Sequence, residues 1–497
     1  MERRTVIDFV HVYMIRYPLS FIAGILVGIL ITRKEFLIGM AGSLIGGPSS
    51  AANHKKIREL HGGGIRVHPS GRYYQDAAGK PVFLIGYYDW AAVPDGYYID
   101  HPSRYREMMR LESPYHLNYI RISLGVNRMS ASTHPSSWNG VPTPVPFLYV
   151  NTGHGWKADL SRWDPVFWNG LQGQCEYAKK HGFIAHLSIF DGVELRQQGG
   201  ASFGYLNSFW NPSNQMKSFY PQGDYSDLPG GFYRLSDFQS NKGIGFYQRK
   251  LIDKVCSVVE RYDNVFFELG NELLSSNSAW NEAVIRYIRT KTPNPVSQEN
   301  NGGASNRAHS ELQGWSQHDA NTSLEVKRNL ESIVGRGYPA WEDPDGPRLC
   351  DASSDELRTA AWRSLTGGAA GFGGFSTDFW TGGRGFQRAT AQYYGNLMKF
   401  LDEIGDGFAA MIPRQEIVGT PDMNSCLANV GRAYVVYIPE DAQVSLDLRD
   451  VAGNCRVRVY NPITGEWGKT STMPAGDVLS IKKPRAMEDW VVHAVIE

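Results

Sequence analysis

The sequence predicts an α/β chain, a (β/α)8 TIM barrel followed by a small antiparallel β-sandwich. Two observations carry that expectation. Between Pro81 and Phe375 eight short apolar runs alternate with segments of helical period, the pattern of a parallel α/β fold. Beyond Pro413 the texture changes to short, closely spaced strands joined by turns such as "NPITGEW", as in an antiparallel sandwich.

Taken in order, residues 1–52 stand apart as an export signal or membrane anchor. They hold two apolar stretches, "PLSFIAGILVGILI" (Pro18 to Ile31) and "FLIGMAGSLIGG" (Phe36 to Gly47), separated by "TRKE". The first is shorter than the roughly 20 residues of a membrane span, but together they make one interrupted anchor. The second, in "TRKEFLIG", resembles a twin-arginine export signal with Lys34 in place of the second arginine, and the small-residue run "PSSAA" follows it. Either route places the rest of the chain outside the cytoplasm, with membrane contact only through this segment.

Residues 53–412 read as the barrel. "GRYYQDAAGKPVFLIG" is a strand, a turn over Asp76 to Lys80, and a second strand. The eight barrel strands are "PVFLIG" (Pro81 to Gly86), "NYIRISL" (Asn118 to Leu124), "FIAHLSIF" (Phe183 to Phe190), "VFFELG" (Val265 to Gly270), "PVSQ" (Pro295 to Gln298), "LQGWS" (Leu312 to Ser316), "YPAWE" (Tyr338 to Glu342) and "AGFGGF" (Ala370 to Phe375). Helical patterns such as "WNGLQGQCEYAKKHG" and "GIGFYQRKLIDKVCSVVERY" lie between them. The long loop from Gly192 to Gly243 follows the third strand and is expected to shape the substrate site. Residues 413–497 form the sandwich, from "RAYVVYI", "QVSLDL", "CRVRVYN", "VLSIK" and "WVVHAVI".

Composition narrows the function. Basic and acidic residues balance at 50 each, so nothing favours electrostatic capture of nucleic acid. An uncharged partner fits better, and the 13 Trp and 26 Tyr supply flat faces that match the C–H faces of sugar rings. The five cysteines have no C-x-x-C spacing, which excludes a disulfide framework and leaves Cys426 and Cys455 as the one pair within a small region. No metal or cofactor is expected: H-E-x-x-H, P-loop and dinucleotide fingerprints are absent from the sequence, and "DPDG" (Asp343 to Gly346) lacks the later ligands of a calcium loop. "GASFG" (Gly200 to Gly204) matches a nucleophile elbow around Ser202, but its flanks supply neither the strand nor the helix that motif needs.

In a (β/α)8 barrel the active site forms at the C-terminal ends of the strands. Those ends present Asp89 and Trp90, Arg121, His186 and Asp191, Asn271 and Glu272, Gln298, His318 and Glu342, with Trp380 following the eighth strand. Glu272 and Glu342, on strands four and seven, face each other across the mouth of a closed eight-strand barrel. Paired carboxylates across a cleft are what glycosidic hydrolysis needs: one protonates the leaving oxygen while the other attacks or stabilises the oxocarbenium-like centre. Glu268, inside "FFELG", reads as a buried structural carboxylate.

"FELGNE", "YPAWE", the arginine of "NYIRIS" and "WRSLTGGAAGFGGF" together resemble the retaining glycoside hydrolases of clan A. Within that clan, "GKPVFLIGYYDW", "AWRSLTGGAAG" and the trailing sandwich resemble the apiosidase-like and cellulase-like branches, over about Gly71 to Glu497. The resemblance implies that Glu272 is the acid/base, Glu342 the nucleophile and Asn271 a donor to the sugar hydroxyl beside the anomeric carbon. It also implies that Arg121 lies near the nucleophile and keeps it ionised, and that His318 touches it. Asp89, Trp90, His186 and Trp380 complete the expected substrate-binding set. The expectation is an exported retaining glycosidase acting on a poly- or oligosaccharide. Its competitors are a non-catalytic carbohydrate-binding surface protein on the same scaffold and an esterase using Ser202.

Overall fold

The structure is a computed structural model and describes residues 64–88, 104–124, 144–192, 195, 205, 208–217, 219–220, 230–273, 277–300, 312–317, 320, 322–343, 349, 352–375, 387–421, 423–485 and 487–497. Eight parallel strands close into a barrel in chain order: β1 (Leu84–Tyr88), β2 (Tyr119–Ser123), β3 (Ile184–Asp191), β4 (Val265–Asn271), β5 (Val296–Asn300), β6 (Trp315–Gln317), β7 (Ala340–Glu342) and β8 (Gly371–Phe375). Each coincides with one of the eight apolar runs. β2, β3 and β4 are buried along their whole length, because the interior covers one face and the helices the other, so their polar residues are enclosed as well.

Two runs differ from expectation. The first divides at Phe83: Pro81–Val82 pairs with Tyr74–Gln75 in a three-stranded antiparallel meander, and only Leu84–Tyr88 enters the barrel. The Asp76 to Lys80 turn joins those two meander strands, with Asp76 Oδ1 accepting from the N–H groups of Ala78 and Lys80 at 2.9 Å each. The meander plugs the N-terminal end of the barrel, where Ile65, Tyr74 and Val82 pack with Leu84, Tyr119, Ile184, Phe266 and Trp341. The fifth run continues past Gln298 through Glu299 and Asn300.

The surrounding helices are α1 (Arg104–Glu112), α2 (Pro165–Lys180), α3 (Leu235–Ser240), α4 (Gly243–Val259), α5 (Ser278–Arg289), α6 (Ser323–Ile333), α7 (Ser354–Thr366) and α8 (Arg388–Ile404). Local chemistry sets their starts: Asp164, Thr322 and Ser353 accept the N–H of Val166, Glu325 and Glu356 at the first turns of α2, α6 and α7. Each such cap contributes about 1 kcal/mol.

The C-terminal region builds a sheet from Ile412–Pro413, β9 (Ser425–Asn429), β10 (Ala433–Ile438), β12 (Asn454–Asn461), β13 (Glu466–Trp467), β14 (Ser471–Pro474) and β16 (Trp490–Ile496). A second, two-stranded sheet pairs β11 (Gln443–Asp447) with β15 (Val478–Lys482). Between the sheets lies a core that includes Cys426, Val436, Leu446, Ile481 and Trp490. The other face of the larger sheet contributes Leu427, Val435, Tyr437, Tyr460 and Val491 to the core of the barrel's helical layer. Trp362 of α7 stacks on Tyr437, and Phe400 of α8 packs on Tyr460 and Trp467. "AYVVYI" is therefore apolar on both sides, and Ile57–Glu497 behaves as one compact unit.

Cys175, Cys256, Cys426 and Cys455 are free, buried thiols, so the Cys426–Cys455 pair is not bonded. Among the described residues no helix is long and apolar enough to cross a membrane. Residues 1–52 and most of the loop from Gly192 to Gly243, Ser202 included, lie outside the described residues.

Candidate active site

The interior of the barrel is polar where a purely structural core would be apolar. Alternation along the strands turns Tyr119, Arg121, His186, Ser188, Glu268, Ser297, Glu299 and Ser316 inward, and the register sets Arg121 beside His186 and Ser188 beside Glu268. All eight are buried. Arg121 donates from Nε (2.9 Å) and from Nη2 to Glu268 Oε2. Its Nη2 also reaches Asn271 Oδ1 at 3.2 Å and lies 3.7 Å from Glu299 Oε2. Ser316 donates to the second oxygen of Glu268 at 3.1 Å.

This cluster holds the end of β4. The backbone N–H of Glu272 donates to Glu299 Oε2 at 2.6 Å, and Glu272 itself has φ 47°, a left-handed conformation that costs a residue with a side chain on the order of 1 kcal/mol. The turn is packed from the β3 side, where the N–H of Gly192 donates to Asn271 O at 2.6 Å. A Cβ on Gly192 would lie 2.1 Å from Glu272 O, so only glycine allows that approach. The bond from Arg121 fixes the Asn271 amide with its oxygen toward the arginine and its NH2 turned away.

A second chain of hydrogen bonds crosses the interior. Tyr119 Oη donates to Asp343 Oδ2 at 2.7 Å, and Trp341 Nε1 donates to the same oxygen at 3.1 Å. Because that uses the phenolic proton, the 2.9 Å contact from His186 Nδ1 to Tyr119 Oη makes Nδ1 the protonated nitrogen. Nε2 of His186 lies 2.8 Å from Ser297 Oγ, which itself donates to Phe267 O at 3.1 Å. Burial, followed by the charge of Asp343, pushes the Tyr119 phenol well above its ordinary pKa, so it acts as a donor. Gly373 of β8 leaves the room that Asp343 fills: a Cβ there would lie 1.6 Å from Asp343 Oδ1.

The expected site residues separate accordingly. Arg121, Asn271 and Glu272 come together at the end of β4. Arg121, expected beside the strand-seven nucleophile, instead has Glu268 as its ion-pair partner, because the register of β2, β3 and β4 brings that carboxylate to it. His186, expected to touch substrate, is fully buried, stacks on Phe266 at 4.2 Å and has both ring nitrogens bonded to protein groups. Glu342 is fully buried and sits between two inward-facing residues, Trp341 and Asp343. It pairs in the ladder with Phe372, whose ring packs on Tyr394 of α8. Alternation therefore turns Asp343 into the barrel and Glu342 toward the helical layer. Asp89, Trp90, His318 and Trp380 lie outside the described residues.

Glu299 falls outside the expected set because the polar run "SQEN" ends the predicted fifth strand at Gln298, one residue before it. The small inward Ser297 two residues before it was the available sign that the strand continues.

No protein-family model matches the sequence, and no curated protein matches it. Among solved structures, the chain is similar to one described as a glycoside hydrolase, at 13% identity over 88% of this chain and 97% of that one, TM-score 0.59. It is also similar to a glycoside hydrolase family 5 structure from Bacteroides vulgatus ATCC 8482, at 14% identity over 87% and 94% of the two chains, TM-score 0.58. A putative glycoside hydrolase from the same organism matches at 12% identity over 88% and 83%, TM-score 0.59. At these identities the likeness establishes the fold.

Proposed function

We propose that the chain is an exported retaining glycoside hydrolase acting on a poly- or oligosaccharide. The observation that carries this reading is the end of β4, where Asn271 and Glu272 stand at the C-terminal mouth of a closed parallel barrel and Glu272 is held in a left-handed conformation by a buried carboxylate. Strain maintained at a polar residue in such a place is the mark of a functional constraint. The fold shared with structures described as glycoside hydrolases supports the same reading. Export rests on the apolar stretches of residues 1–52.

In this mechanism Glu272 protonates the leaving oxygen and later activates water, while a carboxylate at the end of β7 forms the glycosyl-enzyme bond. Asn271, its amide oriented by Arg121, donates to the hydroxyl beside the anomeric carbon. The nucleophile comes from the adjacent pair Glu342 and Asp343. The clan resemblance favours Glu342; the inward orientation and two hydrogen bonds of Asp343 favour Asp343. In a retaining site the carboxyl groups stand about 5 Å apart, against the ~6.5–9.5 Å of an inverting one.

Aryl glycosides with good leaving groups test the reading. Glu272→Ala should keep the first step and be rescued by azide to a product of retained configuration. Whichever of Glu342→Ala and Asp343→Ala abolishes turnover and is rescued by azide to an inverted product identifies the nucleophile. Absence of turnover on a panel of aryl glycosides and polysaccharides, with sugar binding intact, would instead support the non-catalytic carbohydrate-binding protein.

A further inference from the structure

On the outer wall of the barrel the exposed stripe of α4 carries Phe246, Arg249, Lys250, Asp253, Lys254 and Ser257, spaced along one helical face. A polar stripe opposite a buried one is ordinary for an amphipathic helix. Here, however, it floors an open cleft of about 430 Å³ flanked by Trp163, Asn241 and Tyr287, within the size range of small-ligand sites.

Two features distinguish the cleft from a solvated surface. First, its cations are in no contact ion pair: among the described residues no carboxylate lies within 4.0 Å of the charged nitrogens of Arg249, Lys250 or Lys254, and the acidic neighbour of Lys250, Asp159, acts on it only at longer range. The carboxylate of Asp253 is already taken by Lys291 at 2.9 Å and by the hydroxyl of Tyr287. In a chain with no net charge, this is a local concentration of positive charge. Second, those cations are held in place. Arg249 lies over the rings of Phe238 (4.9 Å) and Tyr287 (4.6 Å) and donates to Gln239 O. Lys250 lies over Trp163 at 4.8 Å and donates to Leu160 O and Ser161 O, and Lys254 lies over Trp168 at 5.5 Å. Beside them Phe246 is 43% exposed.

We propose that this cleft is a second saccharide site, for an acidic oligosaccharide carrying uronate carboxylates. The cations recognise carboxylates, an exposed aromatic face matches the C–H face of a sugar ring, and Asn241 and Ser257 offer neutral partners for hydroxyls. Single-stranded nucleic acid shares the aromatic and basic elements, but its binding depends on many phosphate contacts, more than three cations in one short cleft provide. The choice of a saccharide rests on the proposed glycosidase reading; the anion-binding character of the cleft does not.

The test is calorimetric titration of the full chain with trigalacturonate, with cellotriose as the neutral control and a short oligothymidylate as the competing polyanion. The acidic trisaccharide is expected to bind and to weaken steeply with salt. Arg249→Ala combined with Lys254→Ala should weaken it at least about tenfold, and Phe246→Ala should weaken it while leaving kcat on a soluble aryl glycoside unchanged. Equal binding of the acidic and neutral trisaccharides, unchanged binding in the double variant, or tighter binding of oligothymidylate would each overturn the proposal. Loss of the glycosidase reading is recognised separately, as absence of turnover with trigalacturonate binding intact.

Discussion

The backbone N–H of Glu272 donates a 2.6 Å hydrogen bond to the side chain of Glu299, one strand away in the barrel. This bond ties the residue proposed as acid/base to a buried carboxylate that is itself 3.7 Å from Arg121. Glu299→Ala should release the left-handed turn and lower kcat on the order of 10²-fold, the usual effect of misplacing a reacting group by about 1 Å. Glu299→Gln keeps an acceptor for the N–H and should lose much less. Equal kcat for the two variants would mean that the bond does not position Glu272.

Arg121 and Glu268 are both fully buried and paired. Removing only the cation leaves an uncompensated carboxylate inside the barrel, so Arg121→Leu should destabilise the chain by about 3–5 kcal/mol. Arg121→Leu combined with Glu268→Leu should recover part of that loss. Denaturant midpoints of the two variants measure it, and a double variant no more stable than the single one would contradict the account.

His493 of β16 packs near Phe400 and Trp467 and lies across the ladder from Arg458. Burial first, then Arg456 and Arg458, lower its pKa to about 4. The folded state therefore favours the neutral ring. Its contribution to stability is complete above the unfolded value near 6.5 and is lost as pH falls toward 4, by about 3 kcal/mol in all. His493→Phe should flatten that part of the stability profile. Unchanged pH dependence in the variant would assign the acid lability to other groups.

Deletion of residues 413–497 should yield an insoluble barrel rather than an active, less stable one. The sandwich supplies Leu427, Val435, Tyr437, Tyr460 and Val491 to the helical layer's core. It also supplies Asp489, which accepts from Arg358 Nε at 2.9 Å and from Tyr437 Oη at 2.8 Å. Removing it would expose Trp362 and Phe400 and leave Arg358 without that partner. Recovery of a soluble, cooperatively unfolding fragment ending near Pro413 would show that the two parts are independent.

The eight barrel strands were legible in the sequence because the face each turns to the helices is apolar and β-branched or aromatic, so short apolar-rich runs stand out between segments of helical period. The polar ends of those runs pointed in the same way to Asn271 and Glu272. What the sequence could not supply was the pairing of side chains across the closed barrel. Whether Arg121 meets Glu268 or a carboxylate of β7 depends on the register that sets Ser188 beside Glu268, and register is a property of neighbouring strands. Whether Glu342 or Asp343 faces the interior depends on one residue of phase in β7. The expected fifth strand stops at Gln298, since "SQEN" is polar throughout; only barrel closure turns Ser297 and Glu299 inward, where one meets His186 and the other the N–H of Glu272. Local pattern determines which segments become strands, while the relative phase of distant strands decides which of their side chains share a site.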